Sequence, residues 1–199
     1  MAFKNQKKKI SELDQIPDSS IILNGFGKVD YHDTYKITIS TNKYSVDKIT
    51  SDLFKLTPLF KYLLKIRDYI IKPFGIKTSD EFKEAFKTDV EAHYSIGSKA
   101  VFFTVIDRNE KEIVMAENDK HLNFKTSVMI EKKEKSTDVY QTTIVQYNNF
   151  FGRFYFFFVK PFHRFLIKKD LKNMLRKIND LWRHNPFSLK IGSVCSLTK

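Results

Sequence analysis

The chain has 199 residues, of which 42% are hydrophobic and nineteen are phenylalanine. That size and apolar content suit one ordinary globular core and exclude a disordered chain. Thirty-five basic against 23 acidic residues give a net charge of +12, which favours an anionic partner or reflects a lysine-rich solvated surface. The single cysteine, Cys195, excludes an internal disulfide and a cysteine-based zinc site. The longest uninterrupted apolar run, Phe154–Val159, is far too short to span a bilayer, which takes about twenty residues. No apolar segment follows the basic Met1–Ile10, so no secretory signal is expected and the cytoplasm is the default compartment.

Residues 1–29 read as an irregular lead-in, with one short helix expected at Ile10–Gln15 and turn chemistry at Pro17-Asp18-Ser19-Ser20 and Asn24-Gly25-Phe26-Gly27. Thr34–Ser40 alternates Tyr35, Ile37 and Ile39 with Lys36 and Thr38, the pattern of a half-buried strand. Ser45 can cap a short helix over Val46–Lys55. Thr57-Pro58 then opens a second, with a stripe at Leu59, Leu63, Ile66 and Ile70 and a stop at Pro73-Phe74-Gly75. Thr78 and Glu81 have capping-box spacing for a third helix at Asp80–Lys87.

From Ser98 the period changes to two. Lys99–Asp107 and Lys111–Glu117 flank Arg108-Asn109-Glu110 as a hairpin. Lys120–Lys132 is the longest strand, with Leu122, Phe124, Val128 and Ile130 on one face, and Thr137–Tyr147 follows a charged turn. From Phe151 the apolar positions fall at 151, 154, 158, 162 and 165, then at 167, 171, 174, 178 and 181. These threes and fours, with one slip of two near Phe165, favour a helix over a strand at Phe150–Val159. Asn149 is its expected N-cap, and Pro161 is expected to bend it.

A run of strands followed by a long helix reads as α+β, a curved antiparallel sheet wrapped around a Pro-kinked C-terminal helix. Residues 30–184 form the single expected domain and residues 185–199 a tail. The arrangement resembles the helix-grip fold of START domains, birch-pollen-allergen-like proteins and polyketide cyclases.

Three stretches stand out: Ile66-Arg67-Asp68 with Lys72–Ile76, then Asn118–Phe124, then Asn148-Asn149 with Gly152-Arg153, Tyr155 and Pro161–Arg164. They resemble the bacterial family known as domain of unknown function 2867. With Asp30–Tyr35 the similarity covers about residues 30–180. It implies no particular chemistry. Asn123 stands where the family pattern has aspartate, and the chain lacks the glycine-rich nucleotide loop of the dehydrogenase-like proteins that carry similar domains. No cofactor is implied.

His121, with Asp119 two positions before it, could do acid–base work. Alternation puts it opposite Leu122 and Phe124, so a hydrogen-bonding role in the turn is the plainer reading. His163 and Arg164, with Arg153, could hold an anionic head group at a cavity mouth, or satisfy carbonyls that Pro161 frees. Phe151, Phe154, Phe158 and Phe162 could line an apolar pocket or serve as ordinary core. The histidines are too dispersed for a metal site, and no nucleic-acid motif is present. The first functional expectation is a module binding a hydrophobic or amphipathic small molecule between sheet and helix. The second is an enzyme using His121 or His163. The third is a protein of anionic membrane surfaces, acting through the Lys4–Lys9 tail and an exposed aromatic segment. The oligomeric state is open.

Overall fold

The computed structural model describes residues 10–54, 93–100 and 103–183. The helices expected over 58–74 and 80–87, the Lys4–Lys9 tail, the Ile66–Ile76 stretch and Cys195 lie outside them. The fold is α+β: a seven-stranded antiparallel sheet and a long C-terminal helix. In chain order the elements are β1 (Ser11–Leu13), β2 (Tyr31–Ile39), α1 (Val46–Leu53), β3 (Lys99–Ala100), β4 (Phe103–Arg108), β5 (Glu112–Asn118), β6 (Leu122–Lys132), β7 (Thr137–Tyr147) and α2 (Phe150–Arg183). The strand order is β1-β2-β7-β6-β5-β4-β3.

The expected helix at Ile10–Gln15 is instead edge strand β1, with Ser11, Glu12 and Leu13 opposite Lys36, Tyr35 and Thr34. A three-residue strand takes its structure from the neighbour it pairs with, so it leaves no periodic trace. Ser45 does cap α1, its hydroxyl accepting from the Lys48 N–H at 3.2 Å. Asp47 in that first turn takes a two-pronged contact from Arg108 of β4, at 3.0 and 3.1 Å, and the Tyr94 N–H at 2.8 Å. Burial raises its carboxyl, but the Arg108 guanidinium and the Tyr94 N–H more than offset this and hold it below the ordinary value.

The main core lies between the sheet and the two helices. Tyr35, Ile37 and Ile39 of β2, Ile113 and Met115 of β5, Val128 and Ile130 of β6 and Val139 of β7 face Ile167, Leu171, Met174, Leu175 and Ile178 of α2. The stripe expected in the second half of α2 is therefore the buried one. Pro161 sits inside an unbroken helix, on its solvent side. Water can take the carbonyl that the proline leaves without a donor, which makes the residue tolerable there.

The lead-in covers the opposite face of the sheet. Ile22 is buried against Val114 and Ile144, with Ile16, Ile21, Phe26 and Val29 around them. Glu112 anchors it, accepting from the Ser20 hydroxyl and the Ile21 N–H, both at 2.7 Å. Lys125 donates to the Asn24 carbonyl at 2.6 Å. A sheet covered on both faces explains why nine of the eleven residues of β7 are buried, polar ones included. Glu112→Ala is expected to cost about 2 kcal/mol, because it leaves two donors at a buried anchor unpartnered. Urea unfolding measures the loss, and limited proteolysis within residues 14–29 should accelerate with it. Unchanged cleavage would mean that Glu112 is not the anchor.

Candidate functional site

Two features meet at the N-terminal half of α2: a corner where the helix is fastened to the β5–β6 turn, and a polar cluster beneath the helix. The corner is built from asparagines. The Asn148 N–H donates to the His121 carbonyl at 2.9 Å, and its side-chain amide donates to the Asp119 carbonyl at 3.0 Å and Asn123 Oδ1 at 3.2 Å. Asn149 Oδ1 accepts from the Gly152 N–H at 2.9 Å, the N-cap that the sequence led us to expect. Its Nδ2 donates to the Lys120 carbonyl at 3.2 Å and lies 3.1 Å from His121 Nδ1.

Gly152 is required for the approach: a Cβ there would stand 1.9 Å from the His121 carbonyl oxygen. The Phe151 ring meets His121 edge-on, with centroids 4.8 Å apart. His121 is thus held by the turn-to-helix corner. Asp119 accepts from the neighbouring Lys120 N–H, not from the His121 ring. Two of the three stretches noted in the sequence, Asn118–Phe124 and Asn148–Arg153, are the two halves of this corner.

The polar cluster lies on the helix-facing side of β2 and β7. Register places Asp33 opposite Thr143 and Tyr35 opposite Gln141, and Thr143 opposite Thr126 of β6. All five side chains are buried. From α2, His163 brings Nε2 to 3.4 Å from Asp33 Oδ2. Tyr31 donates its hydroxyl to the same oxygen at 2.7 Å. Burial pushes the Asp33 carboxyl up, but the His163 imidazole and the Tyr31 hydroxyl outweigh it and hold the group below its ordinary value.

Asp33 Oδ1 and Gln141 Oε1 are buried without a hydrogen-bond partner, while the His163 ring and the Thr143 hydroxyl are turned to the Asp33 carboxylate. Aromatic rings frame the cluster. Phe156 packs on Tyr31 at 4.8 Å and on Tyr147 at 5.8 Å, and Phe124 meets His163 edge-on at 5.8 Å.

Arg164 is spent on structure. Its Nε donates to the Tyr35 hydroxyl at 3.1 Å, and its guanidinium pairs with Glu12 of β1, which also takes Lys168 at 3.1 Å. Burial and the nearby Asp33 raise the Tyr35 hydroxyl to about 12 even though Arg164 opposes them. With His163 turned to Asp33 and Arg164 to Glu12, neither repairs the helix at Pro161. Neither presents an uncompensated positive charge to an anionic head group. Arg153 is exposed.

The phenylalanine stripe is not where its spacing suggested. Phe154, Phe158 and Phe162 are 52%, 46% and 48% exposed, while Phe156 is 2% exposed. At 3.6 residues per turn the core line through Ile167 and Leu171 runs back through His163 and Phe156. Phe154, Phe158 and Phe165 fall on the opposite face. Phe151 alone of the four expected lining residues has a seat, against His121. Sequence spacing missed Asp33, Tyr31, Gln141 and Thr143. The available signal was alternation: β2 extended back to Tyr31 puts Asp33 on the same face as Tyr35 and Ile37.

Burial pushes the Asp170 carboxyl of α2 up to about 6, and Lys169 relieves this only in part. A folded value above the unfolded one means that ionised Asp170 costs stability at neutral and higher pH. The cost fades as pH falls through 6 and is gone below the ordinary value of 3.8. Asp170→Asn is expected to be more stable than wild type at pH 8, by about 1 kcal/mol after discounting for solvent screening, and equal to it at pH 3.5. Urea titrations at the two pH values check this, and an equal difference at both would refute it.

The comparison with curated proteins gave no match, and neither did that with solved structures. One family model matches, over residues 26–170, a span that takes in the lead-in's last turn, the fastened corner, Asp33 and His163. The chain belongs to the family described as "Protein of unknown function (DUF2867)".

Proposed function

We propose that the chain is a helix-grip-type binding module that takes an amphipathic small molecule between the sheet and α2, with the ligand's polar end at Asp33, His163, Gln141 and Thr143. The observation that carries this reading is the pair of buried acceptor oxygens left without a donor at that place, Asp33 Oδ1 and Gln141 Oε1. A protein does not ordinarily bury two such atoms together, since each unpaired one costs about 1–3 kcal/mol. Asp33 Oδ1 and Gln141 Oε1 accept hydrogen bonds only, so the complementary head group is a donor, a hydroxyl or an amine. Tyr31, Tyr35, Phe124 and Phe156 supply the apolar walls, the usual make-up of a small-molecule site.

Thermal unfolding in the presence of octanol, octylamine or octanoate tests the head-group rule. The alcohol and the amine are expected to raise the melting temperature of the wild type and to lose that effect in Asp33→Ala. Equal stabilisation by octanoate, or by all three in the variant, would sink the assignment.

One observation favours a second reading. An imidazole 3.4 Å from a buried carboxylate is the pairing that orients a general base, so His163 with Asp33 could serve an enzyme acting on a hydrophobic substrate. In that case ligand turnover, and not only binding, should vanish in His163→Gln. A ligand recovered chemically unchanged after prolonged incubation with wild type would leave binding alone.

A further inference from the structure

The outer face of α2 is a surface the ligand reading does not use. Phe150, Phe154, Phe157, Phe158, Phe162 and Phe165 are each 46–83% exposed. Their rings pack on one another, Phe154 on Phe158 at 5.0 Å and Phe157 on Phe158 at 5.4 Å. A contiguous aromatic face of this kind is not an ordinary solvent surface. From Asn148 to Lys169 the helix and its cap carry Arg153, Lys160, Arg164, Lys168 and Lys169, and no aspartate or glutamate. Glu12 neutralises Arg164 and Lys168. Lys160 turns to the sheet side, its Nζ 4.7 Å over the Tyr31 ring, whereas Arg153 is exposed and Lys169 lies 6.0 Å from the Phe165 ring centroid on the aromatic face.

We propose that this face docks on an anionic lipid surface, with α2 lying in the interfacial plane. Charge complementarity selects that occupant. A second copy would bring a net charge of +12, and a helix segment without acidic residues, against the same on its partner, which disfavours self-association. Exposed Phe rings with cations beside them are the two components of an interfacial helix: apolar burial into the acyl boundary and attraction to anionic head groups. No helix among the described residues is long and apolar enough to cross a membrane, so α2 lies on the surface and does not span it. The proposal is independent of the ligand reading. The two together would put the site beneath the helix next to the lipid.

The test is co-sedimentation of the full chain with phosphatidylglycerol-containing vesicles and with pure phosphatidylcholine vesicles, at low and high salt. Melting temperature and light scattering are recorded in parallel. The wild type is expected to pellet with the anionic vesicles and to be released by salt. The variant Phe154→Ser with Phe158→Ser is expected to lose about tenfold or more in partitioning, with an unchanged melting temperature. Failure of the wild type to pellet at low salt would overturn the proposal. So would undiminished binding of the variant, which would assign the charge effect to Lys4–Lys9 alone. A dimer that the variant dissociates would mean a second copy covers the face, and a large drop in melting temperature would mean the chain's own residues 55–92 do. Either result also overturns the proposal.

Discussion

Gly152→Ala is expected to destabilise the protein by about 3 kcal/mol, the upper range for forcing extra volume into a packed site. The expectation runs against the general rule. Alanine in place of a helical glycine normally stabilises by up to about 1 kcal/mol through chain entropy. Here the new methyl would stand 1.9 Å from the His121 carbonyl oxygen, and that obstacle is backbone, which cannot rotate away. Relief requires α2 to lift from the β5–β6 turn. That would break the Asn148 and Asn149 bonds to Asp119, Lys120 and His121 together. Urea unfolding gives the answer directly. A variant as stable as wild type, or more stable, would mean that the corner is not closed in solution as described.

His163→Leu is expected to cost about 3 kcal/mol at pH 7 and much less near pH 4. The leucine fills the space, but Asp33 then keeps a buried charge with only neutral hydroxyls, Tyr31 and Thr143, to answer it. In the wild type the Asp33 carboxyl is held below its ordinary value of 3.8, so its contribution is present above that pH and lost as pH falls through the folded value. In the variant burial acts unopposed by the imidazole and the sign reverses. The penalty is present at pH 7 and vanishes as the carboxyl protonates. The double variant Asp33→Asn, His163→Leu is expected to recover most of the loss at pH 7, the mark of a coupled pair. Equal losses for the single variant at pH 7 and pH 4 would show that packing, not charge, is what His163 supplies.

The parts of the fold that were legible in the sequence are those where local chemistry and tertiary contact agree. Ser45 caps α1, Asn149 caps α2, and β7 runs from Thr137 to Tyr147 as its pattern implied. The buried line Ile167, Leu171, Met174 and Ile178 was plain from a 3.6-residue period with lysines opposite. The first half of α2 was misleading because it has two apolar faces. Counting apolar residues follows the larger one, Phe154, Phe158 and Phe162, yet the sheet takes the smaller, Phe156, with His163 in line. The slip of two near Phe165 was the trace of the change of face.

The site was hidden for a related reason. Asp33 and His163 are polar residues on core-facing positions 130 apart in sequence, and only the β2–β7 pairing with α2 above it brings them together. Pattern reading treats each as an exception on its own element. The covering of the outer sheet face by residues 14–29 likewise rests on Glu112, Lys125 and the apolar contacts around Ile22, none of which carries a periodic signal.

Native mass spectrometry of the purified protein, followed by solvent extraction of whatever is bound, tests most directly that the cluster beneath α2 holds a ligand. We predict a reproducible adduct above the 23.5 kDa chain, an alcohol or amine with an apolar body, that Asp33→Ala protein does not carry. Wild-type protein with the bare chain mass across preparations, and unmoved by added octanol or octylamine, would contradict the account. It would make the Asp33–His163 cluster part of the packing alone.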